Sequence, residues 1–171
     1  MKRKILLLVP VALLALSIAL PAKAVPAWYA EAQMQITGFT FVGPDPEGRG
    51  LLFDVPFVGV ASGPNIKEGT VEGVDHVLLD WQEIGHLDVY LTITDNEGDE
   101  ISAHVTGLAV TRNPGQVVFE GAWATIIDML DYPTTGKYIG LIGITFRDEG
   151  FITELSTEPP GGYIHVKWYW T

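Results

Sequence analysis

The 171-residue chain contains no cysteine. That excludes a disulfide scaffold, a thiolate-zinc or iron–sulfur centre, a cysteine nucleophile and a lipid-modified N-terminal cysteine. Charged residues are few, at 18%, and basic ones fewer: 10 Lys and Arg against 21 Asp and Glu. Four of the basic residues (Lys2, Arg3, Lys4, Lys23) fall in the first 24 positions, which hold no acidic residue. The remainder carries six basic against 21 acidic groups, a net charge of −15. Such a chain offers no basic footprint for nucleic acid and no attraction to anionic lipid head groups. Beyond the first 24 residues there is no long apolar run and no N-x-S/T sequon. The Walker loop, the G-x-S-x-G elbow and H-E-x-x-H are also missing, so P-loop, serine-hydrolase and zincin chemistry have no support.

What is present begins with a leader. Lys2-Arg3-Lys4 is followed by an apolar run from Ile5 to Leu20, a breaking Pro21, and Ala22-Lys23-Ala24. A basic start, a short apolar stretch and small residues at −3 and −1 predict a secretory signal peptide over residues 1–24, cleaved before Val25. The run is shorter than the roughly 20 residues needed to span a bilayer. The expectation is a secreted protein, with no stable membrane insertion after cleavage. Residues 25–171 then form one domain of ordinary size.

That remainder reads as strands. Nineteen glycines and nine prolines punctuate it, and no segment keeps a helical period for three turns. A first strand over 33–42 switches its apolar side at Gly38, which predicts a bulge there. A second over 51–60 contains Pro56, which predicts an edge or bulged strand. Residues 67–81 are hard to read. In the next hairpin Leu87, Val89, Leu91 and Ile93 alternate with His86, Asp88, Tyr90, Thr92 and Thr94, and Ile101, Ala103 and Val105 answer on the return. If Ile93 faces Ile101, Gly98 takes a left-handed position in a three-residue loop. Tyr90 then lies opposite His104, and the apolar face turns inward. A second hairpin turns at 112–115 and returns over 116–127. A short helical turn is expected within 128–136, and a third hairpin around Asp148-Glu149-Gly150. Residues 163–170 make a last strand. Eight or nine short, evenly spaced strands predict an all-β fold, an antiparallel closed barrel of about eight strands.

The segment Gly136-Lys137-Tyr138-Ile139-Gly140-Leu141-Ile142-Gly143, with Phe119-Glu120-Gly121 before it, carries a resemblance. It is similar to an F-x-G … T-G-K-Y-x-G-L-x-G element of secreted barrels related to allene oxide cyclase and plant dirigent proteins. Gly63-Pro64-x-Ile66-x-x-Gly69-x-Val71-x-Gly73-Val74-Asp75, then Leu87-Asp88 and Thr94-Asp95-Asn96-Glu97-Gly98, resembles an uncharacterised bacterial family of lipocalin-like barrels. These glycine-and-turn patterns imply a calycin-like topology. The catalytic groups of the cyclases and dirigent proteins have no positional counterparts in this chain, so the resemblance implies no activity.

The candidate site residues are few. Asp95 to Glu100 is an acidic turn, but its glycine is fourth and no bidentate Glu closes it, so it reads as a solvated hairpin turn and not a calcium loop. The four histidines have no metal-ligand spacing, and neither metal nor cofactor is implied. Asp88, Tyr90 and His104 share one face of the hairpin. As chemistry they offer an acid and a base for enolising a carbonyl compound; as structure they are ordinary cross-strand pairs. Asp75, Asp80 and Glu83 could include a glycosidase pair, as could many pairs in an acidic protein. Among five tryptophans, Trp81, Trp123 and Trp168 are candidates for holding a flat or apolar ligand. The reading that follows is a barrel that binds a small apolar or aromatic molecule without catalysis. The alternatives are a barrel enzyme of the cyclase or isomerase kind using Asp88, Tyr90 and His104, and a surface module that assembles through edge strands. A lumen lined only by apolar groups favours binding; a deep pocket holding ionisable groups with shifted pKa favours an enzyme.

Overall fold

Period-2 alternation of apolar and polar residues drives the described residues into nine strands. They are β1 (Trp28–Ile36), β2 (Thr40–Pro44), β3 (Gly50–Ser62), β4 (Gly69–Asp80), β5 (Gly85–Asp95), β6 (Glu100–Asn113), β7 (Gln116–Ile127), β8 (Thr145–Thr153) and β9 (Tyr163–Trp170). A computed structural model describes residues 28–156 and 161–171; the expected leader lies outside the described residues. From β3 to β9 each strand is antiparallel to the next. β1 pairs with β9 on one side and with β3 on the other. That double pairing closes an eight-stranded up-and-down barrel, with β2 as one extra strand laid on β3. Closure leaves few free strand edges.

The expected first strand over 33–42 is two strands. β1 runs along β3 as far as Ile36↔Phe57, the chain steps out at 37–39, and β2 resumes along β3 at Thr40↔Asp54. Pro56 occupies the gap between them. Its carbonyl accepts the Thr37 N–H at 2.9 Å, so the ring nitrogen points to the place where no partner strand needs a donor. The edge assignment for this strand is therefore corrected: β3 is paired on both sides, and Pro56 is tolerated at a change of partner.

The central hairpin has the expected register, with Ile93↔Ile101 and Tyr90↔His104, and Gly98 has φ of 86°. Two other expectations are corrected. Asp148-Glu149-Gly150 is no turn, because β8 runs through it unbroken. The helical turn is a 3-10 turn at Gly136–Leu141 and not within 128–136. Pro133 to Thr135 instead lie along β6, where Ser102 Oγ donates to the Pro133 carbonyl and Thr135 N–H donates to Glu100 O. The F-x-G residues form a bulge in β7, where Gly121 has φ of 59°.

One end of the barrel is sealed. Phe146 is fully buried, and Tyr29, Trp168 and Trp170 pack around its ring at 4.7–6.0 Å. The 3-10 turn lies at this end, against the β5–β6 hairpin. Tyr138 is buried there and donates its hydroxyl to Asp95 Oδ2 at 2.8 Å. Asp95 also accepts the Glu97 and Asp99 backbone N–H groups and pairs with Lys137. The acidic turn is thus not simply solvated. Its first carboxylate is buried, and the Lys137 ammonium sits on Asp95 and Glu97.

Candidate functional site

The other end is open. Where β4 turns into β5 and β6 into β7, a cavity of about 250 Å³ enters the barrel. Phe39, Phe53, Val77, Leu87, Ala109 and Ile152 are among its walls, with Glu83 and Thr111 also lining it. Its floor reaches Asp75, one step below Val77 on the inward face of β4. Beneath lies an inner cavity of about 50 Å³ that shares Ile36, Val55, Asp75, Leu87 and Ile152 with the mouth. Asp148 lines this inner space, two steps below Ile152 on β8 with Gly150 between them.

The two carboxyls differ in their surroundings. Asp75 is half-buried and borders both cavities. One of its oxygens accepts the Asp88 backbone N–H at 3.0 Å. Burial pushes its pKa up to about 7; that hydrogen bond opposes the rise, the Asp88 carboxylate adds to it, and His76 lowers it. Asp148 is 5% exposed, and its Oδ1 has no hydrogen-bond partner. Trp168 stands opposite it in register, and its indole Nε1 lies near the carboxyl without a well-formed hydrogen bond. Burial pushes the Asp148 carboxyl to about 7 as well, the neighbouring indole lowering it only in part and Glu149 raising it. An apolar tube with two carboxyls near neutrality can hold a proton, give one up, or accept hydrogen bonds from a guest.

The residues singled out from sequence lie elsewhere. Asp88, Tyr90 and His104 do meet, on the outer face of the β4–β5–β6 wall. His104 Nε2 lies 2.7 Å from Asp88 Oδ1, and the Tyr90 ring stacks on the imidazole at 4.6 Å. His76 and Tyr132 flank Tyr90, and His76 pairs with Asp54 at 2.7 Å. The tryptophans are dispersed. Trp81 is 68% exposed at the β4–β5 turn, Trp123 is on the outer face of β7, and Trp168 is in the sealed end. None of the three lines the mouth. Asp80 caps the β4–β5 turn through the Gln82 and Ile84 N–H groups and pairs with His86.

Asp148 was hidden by the turn-like composition of its tripeptide. The signal that exposes it is parity: Phe146, Asp148, Gly150 and Ile152 share a face, as do Val71, Gly73, Asp75 and Val77. A lone carboxyl on an otherwise apolar parity marks a lumen group.

No family model and no curated protein matches the chain. Solved structures do. A β-barrel-like protein from Acinetobacter baumannii superposes with a TM-score of 0.59 at 10% identity, over 84% of this chain and 94% of that one. A conserved protein of unknown function from Rhodopseudomonas palustris gives 0.56 at 15% identity, over 82% and 94%. A protein of unknown function from Clostridium acetobutylicum gives 0.55 at 13%, over 84% and 97%. At such identities the likeness is one of fold: this chain is an all-β, closed antiparallel barrel.

Proposed function

We propose that this protein binds a small apolar molecule in the open end of a calycin-like barrel. The observation that carries the reading is the mouth cavity, about 250 Å³ of aliphatic and aromatic wall with a polar group at its floor. Binding sites for small molecules combine these two features. The volume suits a ligand of about eight water-sized groups. Indole is a suitable probe. Calorimetry should give saturable one-to-one binding, and Ala109→Phe, which places a ring in the mouth, should abolish it. Equal binding by the variant, or no binding by either, would overturn the proposal.

A second reading has one observation of its own. Asp75 is a carboxyl near neutrality on the floor of a pocket, the property expected of a general base. In a barrel enzyme of the cyclase or isomerase kind the proton would pass through Asp75. Asp88, Tyr90 and His104 project from the opposite face of the wall. We also propose that the protein is exported, on the strength of the Lys2-to-Ala24 leader. N-terminal sequencing of exported material should begin at Val25; a product still starting at Met1 in the membrane fraction contradicts export.

A further inference from the structure

We propose that the lumen takes a small apolar amine, its ammonium group held between Asp75 and Asp148 and its hydrocarbon body in the mouth. The proposal rests on reading the mouth as a ligand site, and it names the class of ligand.

Three observations carry it. The inner cavity, at about 50 Å³, has room for little more than one water-sized group, whereas the mouth above it accommodates a chain or ring. A head group below and an apolar body above is the division this shape imposes. Next, the inner space is rich in acceptors and poor in donors. Asp148 Oδ1 is buried without a partner, and the Asp88 amide serves only one oxygen of Asp75. Among the described residues no Lys, Arg or His lines either cavity. The donor beside Asp148 among the described residues, the Trp168 indole, makes no well-formed hydrogen bond to it and offsets its burial only in part. A buried acceptor without a partner is costly, and a guest that supplies donors removes the cost. An ammonium brings three donors and a positive charge, an alcohol brings one donor, and a carboxylate brings only further acceptors of the same charge. Finally, the chain as a whole is strongly acidic, which draws cations to its surface before they enter.

Protons must move for this to happen. Asp75 is faced by Asp88 and His76 from the wall, by Glu83 at the mouth and by Asp148 across the inner cavity; Asp148 is faced by Trp168 and flanked by Glu149. In the empty barrel a carboxyl there keeps its proton at slightly acid pH. When the ammonium arrives the carboxyl ionises and its proton leaves to solvent. Amine binding therefore tightens as pH rises, while the amine itself stays charged throughout.

The test uses octylamine, octanol and octanoic acid as probes for the purified protein, measured by calorimetry. At about pH 8 octylamine should bind at least roughly ten-fold tighter than octanol, and at about pH 5 its affinity should be roughly 50-fold or more weaker, as release of one proton from a group near 7 requires. Octanol should show no such dependence. Asp75→Asn should remove the amine advantage and leave octanol binding in place; Asp148→Asn, with the same neutral shape at a second position, serves if the first variant does not fold. Octanol binding as tightly as octylamine at pH 8 would overturn the amine while leaving the ligand site standing. Preference for octanoic acid, strengthening towards pH 5, would do the same and would mark the carboxyls as neutral donors. Failure of all three probes to bind would overturn both.

Discussion

A carboxyl inside an apolar barrel is either ionised and paired or neutral, because an unpaired buried charge costs more than holding a proton. Asp148 has no cation beside it, so it takes the second course, and burial sets its pKa at about 7. The consequence for stability has a definite sign. The folded value lies above the ordinary one of about 4, so the native state keeps a proton that the unfolded chain has released. The stabilisation is complete below about pH 4 and is lost as pH rises through about 7. Asp148→Asn keeps the shape and cannot ionise. In urea the variant should therefore be more stable than the wild type at about pH 8, on the order of a few kcal/mol, with the advantage shrinking to about 1 kcal/mol at about pH 5 and gone only below about pH 4. Parallel pH profiles for the two proteins would show that Asp148 holds no extra proton. Little of this was legible residue by residue. Asp75 stands near Asp80 and Glu83 in an acidic stretch, and nothing in their spacing separates a lumen carboxyl from the turn cap that Asp80 proves to be. Only the register of neighbouring strands makes the distinction.

Among the elements, those with unbroken alternation were readable and those shaped by a distant contact were not. β5 alternates without a fault over 86–94, Ile101, Ala103 and Val105 of β6 answer it, and their pairing followed from that pattern. β8 carries Asp148-Glu149-Gly150, the composition of a turn, yet it stays extended. Its glycine is there for space: a Cβ on Gly150 would lie 2.5 Å from the Phe119 ring and 2.7 Å from Val166. The 3-10 turn at Gly136–Leu141 depends on a partner about 40 residues away. Burial of Asp95 raises its carboxyl, but Lys137, Tyr138 and the Glu97 and Asp99 amides outweigh that and hold it well below the ordinary range. Its contribution therefore has the opposite sign to that of Asp148: present above about pH 4, and lost as pH falls towards its depressed value. Tyr138→Phe removes one donor from this buried carboxylate. It should cost about 1–3 kcal/mol in urea unfolding at neutral pH, and amide exchange should quicken first in the 3-10 turn and the β5–β6 loop. An unchanged midpoint would mean that the turn is held by packing alone.

At the scale of the whole molecule the barrel depends on one seam. β3 to β9 form a meander in which each strand pairs with its sequence neighbour. β1 must pair with β9 at the far end of the chain as well as with β3, and without it the sheet has two open edges and a lumen exposed to water. Closure therefore brings together the most distant segments, whose loop entropy is met only once the meander exists. The β1–β3 side of the seam has a tight point. At Gly59, paired with Met34, an added Cβ would lie 2.2 Å from the Gln33 carbonyl oxygen and 2.6 Å from the Met34 Cα. These are backbone atoms, so a side chain there can be accommodated only by parting the strands. Gly59→Val should thus act on the molecule and not on one strand. The expected result is a lower urea midpoint, with faster amide exchange rising together in β1, β9 and the second half of β3, while β5 and β6 keep their protection. Indole binding should fall in the same variant, although Gly59 lines no part of the mouth, because Ile36 and Val55 are carried by the two strands that separate. If exchange quickens only around Gly59 and indole binds as before, the seam is not what holds the lumen shut.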